Sequence, residues 1–421
     1  MASRGSKRSF WVAAALAVPA VVGACSSAAP AGHAGPPGPT TAVPAAAARW
    51  VISTIAGGPG GPAPGPRLAI IAPCAMSYAG GYLDLAGSRA LEDQGTAATA
   101  AVTRLSTKAG VLQAVAGDGD TGLAANGTPA LAARLGGAVR GVATDQHGNV
   151  ALSDGDAFYQ DVGAQGNERV RVVAARRGIF YGQAMRAGRI YTIAGSGPRG
   201  FAGDGGPARA ARLYDPQASA VDAAGNVVFA DVGNDRIRVI AARTGRYYGL
   251  AMRAGDIYTI AGGGPARPAS AWLGGPALGA HLALEDSSAA RQQPSTVRID
   301  RHGNVLLGDT FGNRLLVVAA RSGTFYGTSM TTGHIYSLAG NGTSVASVTS
   351  PVLTGPAAGV DLNEVSGLAT DPSGNILIAD QGGRHVGQKE VYYGLVRVLA
   401  ARSGTGVLVS DGPRLRLIHL R

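Results

Sequence analysis

AVDAAGNVVFADVGNDRIRVIAARTGRYYGLAMRAGDIYTIAGGG, the sequence of residues 220–264, recurs with variations along most of the 421-residue chain. It contains short apolar runs rich in β-branched residues and bounded by Gly, Asn or Asp, which is the pattern of strands joined by tight turns. In this unit we predict four strands, a to d, joined as a meander at 219–222, 226–230, 236–242 and 256–261. Repetition of such a unit predicts a stacked or circular array.

Two short motifs mark the repeats. Asp-x-x-Gly-Asn, followed by four residues and a second Asp, occurs at 145–154, 222–231, 300–309 and 371–380. A strand ending in Ala-Gly occurs at 52–57, 111–117, 190–195, 257–262 and 335–340. Four-stranded antiparallel sheets repeated around an axis form a β-propeller, which leaves few exposed sheet edges. The repeats therefore predict an all-β propeller.

The number of motifs predicts five blades. We expect a degenerate first blade within about 50–117, with strands at 68–71, 82–86, 101–105 and 111–116, followed by clear units over about 139–402. The segment 50–57 has the form of a strand d without a preceding a, b or c, so we expect it to complete the last blade and close the ring. The alternative is a sixth, minimal blade built from 406–409 and 414–420.

Three segments, 222–240, 371–380 and 193–213, resemble NHL repeats, a family of propellers. The resemblance implies four-stranded blades around a central channel. It does not select a function, because NHL-like propellers include RNA binders, sensor domains of receptor kinases, adhesion modules and a few lyases.

The first 25 residues have the layout of an export signal. Arg4, Lys7 and Arg8 precede an apolar run over 10–22, and small residues lead to Cys25. The segment resembles a bacterial lipoprotein signal, which implies that Cys25 carries a diacylglycerol and anchors the protein to the outer face of the cell membrane. The alternative is ordinary secretion without lipidation.

Residues 26–48 are almost entirely Ala, Pro, Gly, Ser and Thr, a composition typical of a disordered tether. We expect residues 49–421 to form a single propeller domain. The formal net charge is +11, and removal of the three basic leader residues would leave +8. No basic run is interleaved with stacking aromatic residues, so we do not expect nucleic acid as a partner.

The repeated acids have structural explanations. The first Asp of the motif can accept backbone N–H groups in the a–b turn, where His147 and His302 fill variable positions. The Asp that closes strand b is Asp154, Asp231, Asp309 or Asp380. We expect Asp231 with Arg236, and Asp309 with Arg314, to form a structural ion pair or a turn cap. The alternative is a ring of carboxylates near the channel that holds a cation. Tyr-Gly-x-x-Met, which recurs between strands c and d, is expected to pack between blades as a helical turn.

Two units depart from the short b–c connection by insertions, at 155–168 and 381–394. In a meander the b–c and d–a connections emerge on one face, so the insertions share that face. Charged and aromatic loop residues on a rigid scaffold are typical of binding sites. The candidates are Asp156, Phe158, Tyr159, Asp161, Arg384, His385, Lys389, Tyr392 and Tyr393. The alternative is that both segments are tolerated surface insertions.

No nucleophile elbow, phosphate loop or paired-cysteine motif is present in the sequence, and the histidines are scattered without metal-ligand spacing. We therefore assign no catalytic residue, cofactor or metal ligand. The favoured hypothesis is a surface-tethered, non-catalytic binding propeller for a peptide, glycan or protein partner. The alternatives are an extracytoplasmic lyase or hydrolase with a metal in the channel, and a purely structural cell-envelope protein.

Overall fold

A computed structural model of the chain describes residues 72–89, 99–106, 112–155, 167–284, 296–343, 356–362, 365–371, 374–386, 389–399, 407–411 and 414–418. These segments are mainly strands, with short 3-10 turns at Ala130–Ala132, Ala208–Ala210, Val232–Asn234, Ala269–Ala271 and Ala357–Gly359. None of the helices within these segments has the length and apolar character needed to cross a membrane.

The first sheet has four antiparallel strands in chain order: β1 (Ala72–Ala79), β2 (Tyr82–Arg89), β3 (Thr99–Ser106) and β4 (Leu112–Ala116). A four-stranded sheet is therefore present where the degenerate first blade is expected. The strand expected at 68–71 lies outside the described residues, and the first described strand is β1. It extends to Ala79 because Gly80 and Gly81, both at positive φ, supply the tight turn into β2.

The next sheet contains β5 (Thr128–Pro129), β6 (Ala138–Thr144), β7 (Val150–Gly155), β8 (Arg169–Val173) and β11 (Arg189–Ala194), with a hairpin of β9 (Gly178–Phe180) and β10 (Gln183–Met185). Strands β6, β7, β8 and β11 are a to d of this blade, and β5 covers the outer edge of β11. An outer edge covered in this way offers fewer unpaired backbone groups to other chains.

The unit quoted at the start forms the third sheet, and its predicted strands are confirmed. Its strands are β12 (Pro216–Val221), β13 (Val227–Asp231), β14 (Arg236–Ile240) and β17 (Ile257–Gly262), with a hairpin of β15 (Gly245–Tyr247) and β16 (Leu250–Met252). The fourth sheet repeats this pattern with β18 (Val297–Ile299), β19 (Val305–Asp309), β20 (Arg314–Val318) and β23 (Ile335–Ala339), and with a hairpin of β21 (Gly323–Phe325) and β22 (Thr328–Met330).

The last sheet has three strands, β24 (Val365–Thr370), β25 (Ile376–Val386) and β26 (Lys389–Leu399). A separate two-stranded hairpin follows, β27 (Val407–Asp411) and β28 (Arg414–Ile418). The described residues thus form four complete four-stranded blades, so neither the five blades expected nor the alternative of six is confirmed. The expected closing strand at 50–57 lies outside the described residues.

Successive sheets pack face to face. Val227 and Phe229 of the third sheet share one buried apolar cluster with Val170 and Val172 of the second. Similar clusters join the first sheet to the second, the third to the fourth, and the fourth to the last. This packing of sheet upon sheet, with strand a innermost, is the propeller arrangement.

A central cavity of about 470 Å³ opens on the face where the a–b and c–d connections emerge. The ends of all five inner strands, β1, β6, β12, β18 and β24, contribute to its wall. Arg298 on β18 donates to the backbone carbonyl of Met76 on β1 at 3.0 Å, although the two residues are 222 positions apart. This contact joins the first and fourth blades across the channel.

The turn motif folds as expected. The Asp145 carboxylate accepts the backbone N–H groups of His147 and Asn149 and the side-chain amide of Asn149, each at 2.8 Å. The motifs that begin at Asp222, Asp300 and Asp371 repeat the contact to the backbone and side chain of Asn.

The expected helical turn at Tyr-Gly-x-x-Met is wrong. Tyr181 and Gly182 have φ of 49° and 72° and form the two-residue loop of the β9–β10 hairpin, a loop type that requires positive φ at both positions. The predicted contact between blades is nevertheless present, because the Tyr181 hydroxyl donates to the carbonyl of Gly225 in the next blade at 3.0 Å.

Candidate functional site

The acids that close strand b bind the backbone of the d–a linker that leads into strand a of the same blade. The carboxylates of Asp154, Asp231 and Asp309 accept backbone N–H groups of the d–a linker at 2.6, 2.8 and 2.7 Å. All three are almost fully buried. The side chain of Asp380 lies outside the described part of the structure.

The expected ion pairs of these acids are wrong. Arg236 lies opposite Asp231 in the ladder, but its guanidinium donates to the Asn234 carbonyl and lies 3.8 Å from the ring centre of Phe201. Arg238, two residues further along the strand, approaches Asp231 to 3.2 Å. Burial raises the pKa of Asp231 to about 6, and Arg238 opposes that rise.

The same strand geometry explains the contacts of the corresponding acids in the second and fourth blades. Arg171 occupies the position of Arg238 and lies 3.4 Å from Asp154. In the fourth blade that position is Leu316, and Arg314 donates to the carbonyls of Gly312 and Asn341. Burial raises the pKa of Asp309 to about 6 as well.

A carboxylate ring for a cation is not formed by these residues. Within the described segments, no group of three or more His, Cys, Asp or Glu side chains is placed to hold a metal ion. Asp154, Asp231 and Asp309 instead hold linkers inside their own blades, and the first two also pair with a buried arginine.

Four charged side chains, Arg140, Glu168, Arg199 and Asp215, meet between the second and third blades on the face of the b–c and d–a connections; we call them the interblade cluster. Glu168, just before β8, accepts the backbone N–H of Asp215 at 2.7 Å and the guanidinium of Arg199 at 2.9 Å. Asp215, just before β12, lies 3.3 Å from Arg140 and accepts the amide of Gln217 at 2.7 Å.

The backbone of the interblade cluster is locally strained. Glu168, Asp215 and Ala218 have φ of 46°, 50° and 41°, in the left-handed region that non-glycine residues rarely adopt. The Glu168 conformation recurs at Asp235 and Asn313, so it belongs to the general entrance of strand c. Those of Asp215 and Ala218 occur only at the third blade among the described blades, and such residues are enriched at functional sites.

The cluster contains one carboxyl that titrates near neutrality. Burial, reinforced by the charge of Asp215, raises the pKa of Glu168 to about 7, while the Asp215 N–H and Arg199 act in the opposite direction. Buried carboxyls with pKa values shifted in this way are concentrated at functional sites, although structural networks also produce them.

One acceptor of the cluster has no partner within the described residues. Oδ1 of Asp215 is buried and receives no hydrogen bond there. It faces Gly155, where a Cβ atom would lie 3.4 Å from it. Because Gly155 is the last residue of β7 and the first of the 155–168 insertion, the oxygen faces the base of that insertion.

The candidate residues of the first insertion, Asp156, Phe158, Tyr159 and Asp161, lie outside the described residues. The second insertion is not a loop but a ribbon, because β25 and β26 pair continuously from Ile376 and Leu399 to Val386 and Lys389. Along the ribbon the partners are Arg384 with Val391, His385 with Glu390, Tyr392 with Gly383, and Tyr393 with Gly382.

Sequence reasoning missed the interblade cluster, although a signal was present. At the position of Asp215 the next blade has Leu284, whose backbone N–H is held by Asp235 in the same way at 2.9 Å. At the position of Glu168 the other blades have Asp235 and Asn313. The boundary between the second and third blades thus departs from the repeat in two ways: Glu168 is longer than Asp235 and Asn313, and Asp215 is an acid where the next blade has Leu284.

Neither a known protein family nor a curated protein matches the sequence. Among solved structures, the chain is similar to a Bacteroides thetaiotaomicron protein of unknown function, at 14% identity and a TM-score of 0.42, over 72% of this chain and 56% of that one. It therefore spans little more than half of that protein.

The chain is also similar to a streptogramin B lyase, at 8% identity and a TM-score of 0.35, over 83% of both chains. A third similarity is to virginiamycin B lyase from Staphylococcus aureus, at 9% identity and a TM-score of 0.34, over 82% of this chain and 83% of that one. Scores this low carry no information about activity, and the propeller assignment depends on the sheet topology described above.

Proposed function

We propose that this protein is a non-catalytic binding propeller whose ligand site is the interblade cluster together with the base of the 155–168 insertion. The buried, unpartnered Oδ1 of Asp215 carries the proposal. An acceptor left without a hydrogen bond in a buried position costs about 1–3 kcal/mol, and a ligand donor would remove that cost.

The charges of the cluster favour a polar, uncharged ligand. Glu168 and Asp215 supply acceptors, and Arg140 and Arg199 supply donors, so the net charge of the four is near zero when both acids are ionised. Hydroxyl-rich glycans and peptide amides present donors and acceptors together. We therefore propose a glycan or a peptide, free or displayed on a partner protein.

A second candidate is an extracytoplasmic hydrolase or lyase. The raised pKa of Glu168 favours it, because a carboxyl titrating near 7 is suited to proton transfer at neutral pH. The discriminating measurement is turnover: an enzyme would convert a ligand that stabilises the protein into product, and a binding protein would return it unchanged.

We further propose that residues 1–25 direct export, that Cys25 carries a lipid anchor, and that 26–48 tether the propeller, residues 49–421, to the outer face of the membrane. We also propose that the sheet β24–β26 is a fifth blade, completed by residues 50–57. Its inner strand β24 already contributes to the channel wall beside the four complete blades. Deletion of 50–57 should then lower the thermal midpoint, and an unchanged midpoint would contradict the closure.

The test begins with a panel of soluble cell-envelope saccharides and short peptides, screened for a rise in the thermal midpoint. For each ligand found, Asp215→Asn should raise Kd at least about tenfold, the effect of losing one charge-assisted hydrogen bond. Asp235→Asn is the control, because it makes the same change in an acid at the next blade boundary, where Asp235 occupies the position of Glu168 and lies outside the proposed site, and it should leave Kd unchanged.

Two results would contradict the site. The first is a ligand whose Kd is the same for wild type and Asp215→Asn. The second is a protein that no member of the panel stabilises, which would favour a purely structural envelope role. Replacement of 381–394 by the four-residue connection of the third blade, 232–235, then shows whether the ribbon contributes to the same site.

A further inference from the structure

The face opposite the interblade cluster, where the a–b and c–d connections emerge, is strongly basic. Eight exposed arginines lie on it across the second, third and fourth blades; we call it the arginine face. They are Arg176, Arg177, Arg186, Arg243, Arg246, Arg253, Arg301 and Arg321.

The acids of this face do not neutralise it. Within the described residues its acids are Asp84, Asp145, Asp222, Asp256, Asp300 and Asp371, and none of them is exposed. Four of these acids are occupied by the a–b turns, where their carboxylates accept the N–H groups of the motif. A fifth, Asp84, is fully buried and bound by Arg104, and the sixth, Asp256, is half-buried.

Seven of these arginines have no carboxylate partner in the described part of the chain: Arg176, Arg177, Arg186, Arg243, Arg246, Arg253 and Arg321. The opposite face is mixed in charge. Arg140, Arg171, Arg199 and Arg238 are each paired there with an acid. Its d–a linkers carry three exposed arginines without a carboxylate partner in the described residues, Arg209, Arg212 and Arg267, but also three exposed acids, Asp118, Asp120 and Asp204. The positive charge available to a partner is therefore concentrated on the arginine face.

The arginine face is rigidly built. Most of its arginines flank the c–d hairpins, and two of the three described hairpin tips contact the next blade: the carbonyl of Tyr181 lies close to Gly255, and that of Tyr248 close to Gly333. The guanidiniums of Arg176 and Arg321 lie 5.9 and 5.7 Å from the ring centres of Phe180 and Phe325. Ile179, on the first hairpin, is 80% exposed.

We propose that the arginine face docks on an anionic phospholipid bilayer. Three of the arginines, Arg176, Arg177 and Arg243, line one pocket of about 430 Å³ between the second and third blades. The eight together extend over three successive blades, so they match an extended array of phosphates better than a single small anion. Arginine forms bidentate hydrogen bonds with phosphate, and the exposed Ile179 side chain can enter the interfacial region between headgroups. Docking of this face leaves the interblade cluster, on the other face, open to solvent and its ligands.

The experiment measures sedimentation with vesicles of phosphatidylcholine containing 30% phosphatidylglycerol, against vesicles of phosphatidylcholine alone. The protein carries Cys25→Ser and is purified after export, so that no acyl chain contributes to binding. The test variant combines Arg176→Glu, Arg243→Glu and Arg321→Glu. The control combines Arg209→Glu, Arg212→Glu and Arg267→Glu, three exposed arginines of the opposite face, and changes the net charge equally.

Wild type and control should bind the anionic vesicles and release them as salt rises, while neither binds phosphatidylcholine alone. A surface arginine contributes roughly a fivefold gain in binding to an anionic membrane, so the test variant should bind at least about 100-fold more weakly. A thermal midpoint equal to that of the control shows that the variant is folded, and Arg→Gln at the same three positions serves if it is not.

Three outcomes would overturn the proposal. An equal loss of vesicle binding in the test and control variants would show a general effect of net charge rather than a specific role of the arginine face. Equal binding of wild type to both kinds of vesicle would show that the net negative charge of the headgroups has no role. Tighter binding to a soluble anionic polymer such as polyphosphate, at equal phosphate concentration, would identify the face as a polymer site instead.

Discussion

Glu168 accepts the backbone N–H of Asp215 at 2.7 Å, across the boundary between the second and third blades, and its side chain is almost completely buried. The contact holds the start of β12, strand a of the third blade, against the start of β8, strand c of the second blade. It also places a second carboxylate beside Glu168, and so contributes to a pKa of about 7.

The stability of the protein should fall as pH rises from about 4.5 to about 7. A carboxyl whose pKa is higher in the folded chain than its ordinary value of 4.5 binds more protons when folded, so folding is favoured below pH 4.5 and loses that contribution as pH rises through 7. Asp231 and Asp309 act in the same direction, but only up to about pH 6. Burial raises the pKa of Asp154 as well, so the contribution of Glu168 between pH 6 and 8 is obtained as the difference in urea denaturation between wild type and a variant that cannot ionise at position 168.

Glu168→Gln should remove the part of the slope between pH 6 and 8 that a pKa of about 7 produces, a change of about 1 kcal/mol in the free energy of unfolding over that interval. Gln keeps an acceptor for the Asp215 N–H but cannot ionise. Asp235→Asn, at the same position of the next blade, should keep the slope. An unchanged slope in Glu168→Gln would show that another group titrates in this range.

Arg238→Met should be much more destabilising than Arg236→Met. Arg238 is fully buried between Asp231 and Asp204, and its removal leaves a buried carboxylate without its cation, at a cost of about 3–5 kcal/mol. Arg236 contacts a carbonyl and the ring of Phe201, worth about 1 kcal/mol. Equal unfolding free energies for the two variants would contradict the pairing.

The strands and turns were predictable because their signals are local. Alternating β-branched residues and the Asp-x-x-Gly-Asn turn determine β12 and β13 from within one short segment, and the structure repeats them in each clear unit. The same local reasoning failed between strands c and d. Tyr181 and Met185 suggested a helical turn by their spacing, whereas the left-handed Tyr-Gly pair turns the chain into a hairpin.

Side-chain partners were less predictable, because they depend on which side of a strand a residue faces and on distant segments. Arg236 is the nearer arginine to Asp231 in the ladder, yet Arg238 reaches the carboxylate, since the linker residue Asp204 holds it there as well. Likewise, Asp215 and Glu168 are 47 residues apart, and only the packing of two blades brings them together.

Cys25→Ser should abolish incorporation of a labelled fatty acid into the exported protein. The prediction follows from the three-part leader and the small residues before Cys25, and lipid attachment requires the cysteine thiol. Cys74→Ser is the control, because Cys74 lies in β1 of the propeller, and it should label as wild type does. Labelling of Cys25→Ser would place the acyl chain elsewhere, and absence of label in the wild type would favour plain secretion.

Gly255→Ala should destabilise the protein by more than Gly274→Ala. The two glycines have nearly the same φ, +84° and +81°, so the left-handed backbone costs an alanine about 1–2 kcal/mol at either position. They differ in their surroundings, since a Cβ at Gly255 would lie 3.1 Å from the Tyr181 carbonyl of the preceding blade, whereas one at Gly274 meets nothing within 4 Å. The excess cost of Gly255→Ala, expected at about 1 kcal/mol or more, thus reports the contact between hairpin and next blade. Urea denaturation of both variants measures it, and equal losses would show that the hairpin tip can move away without cost.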